Sequence, residues 1–147
     1  MKHMLVLLVV FSISNTALKA QFVQQWAARY NGHANSDNEK SNDMYVDASG
    51  NVYITGCSDS LGNNTDYTTI KYNTNGVVQW VAKYNGPNNS LDQARSIFVD
   101  ASGNVYVTGE SMQAALSNRD VATIKYNSNG VQQWVQRYNA PANSEDI

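Results

Sequence analysis

Short runs of alternating apolar and polar residues fill this chain from residue 43 onward, and Asn, Asp and Gly punctuate them. In SIFVD (Ser96–Asp100), NVYVTG (Asn104–Gly109), ATIKY (Ala122–Tyr126) and VQQWVQRY (Val131–Tyr138) the alternation has a period of two. Val105 and Val107 fall on one side and Tyr106 and Thr108 on the other. Ala122, Ile124 and Tyr126 share a face, as do Trp134 and Tyr138. That period places successive side chains on opposite faces of a sheet, so the pattern predicts four β-strands. DASGN joins the first strand to the second, and NSNG joins the third to the fourth. Both words suit tight turns, because Asp and Asn side chains bond to nearby backbone and Gly accepts φ > 0. Two hairpins of this kind make a four-stranded antiparallel sheet.

The whole arrangement recurs. Trp26, Trp80 and Trp134 are each 54 residues apart, in the words QQWAARYN, VQWVAKYN and QQWVQRYN. VDASGNVYITG (Val46–Gly56) returns as VDASGNVYVTG (Val99–Gly109), and DYTTIKYNTNG (Asp66–Gly76) as DVATIKYNSNG (Asp120–Gly130). A four-stranded unit of about 50 residues in tandem is a propeller blade. The expected fold is all-β. A lone outer strand and linker occupy residues 21–41, blade 1 with its connector 42–94, and blade 2 with the start of a further connector 95–147.

These repeated words, with W-x3-YNGP, resemble the seven-bladed β-propeller repeat (SBBP) of exported bacterial proteins. The resemblance runs over Gln21–Ile147. It implies a propeller and a secreted or cell-surface location, and no single activity.

Two blades cannot close a ring of about four to eight. The chain opens on a fourth strand, and in propellers such a strand completes the last blade. The expectation is therefore an N-terminal fragment of a longer propeller. The alternative is closure by self-association of several copies.

Composition narrows the function. Met1–Ala20 reads as a secretory signal peptide: Lys2 and His3 precede an apolar stretch from Met4 to Ile13, too short to span a bilayer, and Ala17 and Ala20 offer small residues for cleavage before Gln21. No membrane insertion is expected after cleavage. Net charge is −2; loss of Lys2 and Lys19 leaves 8 basic against 12 acidic residues. No Lys/Arg cluster is present to neutralise phosphates, so a nucleic-acid partner is not expected. The 19 Asn residues suit turns, and Cys57, as the one cysteine, has no internal disulfide partner.

Candidate chemistry is sparse. Asp47 and Asp100 could suggest calcium, yet the rest of a calcium loop is missing, and capping of the turn is the expected role. Asp66 and Asp120 stand at the same repeat position and are expected to bond nearby backbone rather than act as an acid/base pair. Trp26, Trp80 and Trp134 are expected to pack between blades rather than stack on sugars. Cys57 aligns with Glu110, so an exposed position is expected, and His33, the sole histidine past the leader, lies in a linker. No catalytic residue, metal or cofactor is assigned.

The copies agree in their turns and differ in two other connections. CSDSLGNNT stands against ESMQAALSNR between strands two and three, and NGHANSDNEKSN against NGPNNSLDQAR between blades. Antiparallel topology puts these variable segments at one end of the blades and the invariant turns at the other. Variable loops on a rigid scaffold are the usual place for recognition. Ser58, Asp59, Asn63, Asn64, Asn88, Asn89, Gln113, Asn118 and Arg119 are the candidate recognition residues. The sequence thus predicts an exported, non-enzymatic repeat protein that binds a protein or glycan at the cell surface. Its rivals are a non-catalytic portion of an extracellular hydrolase or lyase, and a structural spacer.

Overall fold

A computed structural model describes residues 23–32, 39–59, 64–113 and 119–139. They form two four-stranded antiparallel sheets. Blade 1 is β1 (Lys40–Val46), β2 (Val52–Asp59), β3 (Thr65–Tyr72) and β4 (Val78–Tyr84); blade 2 is β5 (Asp92–Val99), β6 (Val105–Met112), β7 (Arg119–Tyr126) and β8 (Gln132–Tyr138). Each sheet is ordered as its sequence runs, and a single 3-10 turn, Pro87–Asn89, interrupts the connector. The sheets do not close into a ring. The leader Met1–Ala20 lies outside the described residues.

Side chains build the turns. Asp47 Oδ1 accepts the N–H groups of Ser49 and Asn51, both at 2.9 Å, while Oδ2 accepts Asn51 Nδ2 and the Tyr53 hydroxyl. Asp100 repeats every bond with Ser102, Asn104 and Tyr106. The carboxylate is thus spent on its own turn, as the capping reading requires. Asn73 and Asn127 do the same work in the other hairpin, each accepting two backbone N–H groups at 3.0 Å.

The core lies between the blades. The strict alternation expected in blade 2 is present in β6 and β7, where every second residue is buried. Val105, Val107, Ile124 and Tyr126 form its leading face and meet Tyr53, Tyr67 and Ala82 on the trailing face of blade 1. Burying each such Val or Ile contributes about 1.5–3 kcal/mol. Trp80 packs between Tyr53 and Tyr126 and donates its indole N–H to Ser128 O at 3.1 Å, the inter-blade packing expected of it.

Residues 23–30, expected as an outer strand, pair with no strand among the described residues. Among the described residues the outer edges of both third strands, β3 and β7, are already paired with β4 and β8. The side chains of residues 23–30 nonetheless dock: Trp26 stacks on Tyr72 with ring centroids 6.0 Å apart, and a Cβ on Gly76 would meet the indole at 2.7 Å. Trp80 holds the same place over Tyr126 and Gly130. The segment therefore covers part of blade 1 as β4 covers blade 2.

Polar bonds lock the blades as well. Asp43 accepts the N–H of Ile97 at 3.0 Å and the hydroxyl of Ser96 at 2.9 Å, both from the neighbouring blade. The Ile97 N–H is the largest influence holding its carboxyl below the ordinary 3.8, with partial burial opposing. A depressed carboxyl pKa stabilises the fold above the ordinary value and loses that contribution as pH falls through the depressed one. Asp43→Asn should therefore be less stable than the parent at neutral pH. The difference should shrink as pH drops below 3.8, as read from urea midpoints across an acid series. A difference that widens on acidification rules the linkage out.

Candidate functional site

The connections sort onto two ends as expected. β2–β3, β6–β7 and the connector share one end, and the Asp and Asn turns share the other. At the variable end the Asn64 side-chain amide donates to Asn89 O, so the β2–β3 loop and the connector touch. Thr65 Oγ1 donates to Asp92 O at 3.3 Å, and Met112 N to Leu91 O at 3.0 Å. Between these contacts opens a cleft of about 590 Å³, with Lys40, Asp59, Gln93, Glu110, Met112 and Arg119 on its walls.

Glu110 organises the cleft. It sits between two guanidinium groups, Arg95 at 2.6 Å and Arg119 at 2.5 Å, and its side chain is only 14% exposed. Across the cleft Gln93 Nε2 lies 3.6 Å from Cys57 Sγ. The walls thus offer carboxylate, guanidinium, ammonium and amide groups beside the apolar side chains of Leu91 and Met112. Such a surface can orient a polar ligand by hydrogen bonds. Among the described residues, no three of His, Cys, Asp and Glu gather as a metal site.

The nine candidate recognition residues separate in space. Asp59 and Arg119 line the cleft, Asn64 and Asn89 seal its edge, and Gln113 stands exposed at the start of the β6–β7 loop. Asn89 adopts φ 49°, the left-handed region that Asn tolerates best after Gly. Asn88 lies in the 3-10 turn. Asn63 and Asn118 fall outside the described residues.

Ser58 requires correction: it is 1% exposed and donates or accepts a 2.7 Å bond with Thr68, so it is a core residue. The reason is strand length. β2 stays paired with β3 down to Asp59–Thr65, and β6 with β7 down to Met112–Arg119. Asp59 and Arg119 are consequently strand ends rather than loop residues. Cys57 is likewise buried instead of exposed, and Glu110 at the same repeat position is mostly covered. Asp120 also departs from expectation. It bonds Arg137 Nη2 at 2.9 Å rather than backbone, and is 1% exposed.

Glu110, Gln93 and Lys40 were not among the expected site residues. A signal for one of them stood in the text. Asn42, Cys57 and Thr65 of the first copy become Arg95, Glu110 and Arg119 in the second, a concerted gain of three charges. The structure shows why they change together, because they meet.

Behind the cleft lies a polar junction. Asp92 accepts Gly86 N–H at 2.6 Å and the Ser111 hydroxyl, and burial raises its carboxyl pKa against those bonds. Arg137 joins Ser111, Asp120 and the Tyr84 hydroxyl of the other blade. Glu39 accepts Gly32 N–H at 3.1 Å, the same bond one repeat earlier.

A family model described as a beta-propeller repeat, SBBP, matches residues 79–111. The matched stretch runs from β4 through the connector into β6, so it spans the junction between the blades. No curated protein matches this chain.

Proposed function

We propose that this chain, which carries the SBBP-type beta-propeller repeat, is an exported, non-enzymatic recognition protein that binds a protein segment in the cleft at its variable-loop end. The observation that carries this reading is the concerted change of three repeat positions to Arg95, Glu110 and Arg119, which meet at Glu110, with Glu110 and Arg119 on the wall of the cleft. The cleft walls hold no aromatic ring among the described residues, which favours a peptide chain over a sugar. The leader-like Met1–Ala20 supports export, and a protein ligand at the cell surface fits it.

The test uses a displayed peptide library and an immobilised glycan array, both probed with the purified chain. Peptides selected by the chain should lose at least about tenfold in affinity to Arg119→Glu, a loss in the range expected for a desolvated charge pair. They should bind Ser49→Arg and Ser102→Arg, at the opposite end, as they bind the parent. Selected ligands that ignore Arg119→Glu, or sugars bound in place of peptides, would sink the reading.

A further inference from the structure

The interface between blade 1 and blade 2 has two halves, and each half is present a second time among the described residues, open on blade 2 and covered only in part, by residues 23–30, on blade 1. On blade 1 the trailing half is Tyr45, Tyr53, Trp80 and Tyr84, all buried or half-buried beneath blade 2. The same repeat positions on blade 2 are Phe98, Tyr106, Trp134 and Tyr138. Phe98 is 56% and Tyr138 62% exposed. The rings are already set for a partner. Trp134 meets Tyr106 at 6.2 Å and 58°, as Trp80 meets Tyr53 at 6.1 Å and 64°. Lys125 lies over Tyr106 as Lys71 lies over Tyr53.

The leading half repeats in the same way. Ile97 and Val99 of blade 2 are 7% and 3% exposed beneath blade 1, whereas their counterparts Met44 and Val46 are 60% and 49% exposed. We infer that copies of this chain assemble head to tail, blade 2 of one copy docking its aromatic trailing face onto the leading face of blade 1 in the next. The occupant is a second copy because the two open faces are the two halves of an interface the chain already makes. A heterologous contact of this kind generates a ring when its rotation closes. With two blades per copy, a ring of about four to eight blades takes two to four copies.

One element stands in the way. Residues 24–31 (QQWAARYN) nearly repeat residues 132–139 (QQWVQRYN), and Trp26 fills the place on Tyr72 and Gly76 that Trp134 of an incoming copy would take. β8 is fixed by pairing along β7, whereas residues 23–30 pair with no strand among the described residues. The incoming β8 therefore displaces the segment, which acts as a built-in competitor of assembly.

Sedimentation velocity of the purified chain over a range of concentrations tests this. The parent should pass from monomer to a ring of two to four copies. Met44→Asp and Tyr138→Asp, one on each face, should each lose assembly. Mixed one to one they should form a dimer, because each retains the face the other lacks. Trp26→Ala should assemble at lower concentration than the parent. Val46→Lys and Tyr138→Lys provide the same pairing if an aspartate variant unfolds by circular dichroism. A parent that stays monomeric throughout, which would leave the faces to blades outside this chain, overturns the inference. So does a single variant that assembles like the parent, or a mixture that remains monomeric. Weaker assembly of Trp26→Ala overturns the displacement and the docking geometry with it.

Discussion

Gly109→Ala should lower stability by about 3 kcal/mol or more, the upper range for forcing atoms into a filled site. A Cβ at this position would lie 2.2 Å from Gln93 O and 2.8 Å from Ala94 Cα. Both are backbone atoms of the adjacent strand and cannot swing aside as a side chain can. The crowding has a cause in register. β5 carries a bulge between Ala94 and Ser96, opposite Gly109, and β1 carries the same bulge between Ser41 and Asp43, opposite Gly56. The extra residue pushes the strand toward its neighbour, and only a residue without Cβ fits there. Gly103→Ala provides the comparison. That residue sits at φ +78°, where a Cβ meets Ser128 Cβ at 3.2 Å, so its cost is mainly conformational, about 1–2 kcal/mol. Urea unfolding of both variants should place Gly109→Ala clearly below Gly103→Ala. The reverse order would show that the bulge can relax.

Removing one partner of the Asp120–Arg137 pair should cost about 3–5 kcal/mol, the range for a buried pair broken from one side. Asp120 is 1% exposed, and the Arg137 side chain 19%. Asp120→Ala leaves the guanidinium facing Ser111 and Tyr84 without its counter-charge. Arg137→Met leaves the carboxylate alone in the core. The double variant Asp120→Leu with Arg137→Met removes both charges and should recover most of the loss, since a buried pair is often replaceable by apolar residues of similar volume. Lys83, at the position of Arg137 in the first copy, is exposed, and Lys83→Met should change stability by no more than about 0.5 kcal/mol. The measurement is a double-mutant cycle in urea. A double variant as unstable as either single one would show that the pair does more than balance its own charges.

Much of the fold was legible in the text because the text repeats. Period-two runs placed seven of the eight strands to within a few residues. β5 begins four residues ahead of its predicted start because Asp92–Arg95 looks polar, yet Asp92 and Ala94 are fully buried. β2 and β6 likewise extend past the alternating run, to Asp59 and Met112. Pairing beyond Gly56 and Gly109 is carried by Cys, Ser and Asp, residues that read as loop until a neighbouring strand satisfies their backbone. The cleft was partly legible. Asp59 and Arg119 came from the variability of their segment, but Glu110 was hidden by its neighbour in the alignment, an ordinary cysteine.

The sequence by itself determined the blades: their number of strands, their turns and the end at which the variable segments lie. Those properties are local, because a turn is made by its own Asp or Asn and a hairpin follows from it. Only the tertiary structure decided what the polar residues do. Whether Ser58 is a ligand contact or core, whether Asp120 meets backbone or Arg137, and whether Trp26 is paired or merely docked all depend on what another blade or strand brings within reach. Burial is a property of neighbours, and the neighbour that decides lies on another strand, 10 residues along the chain for Ser58 and 17 for Asp120.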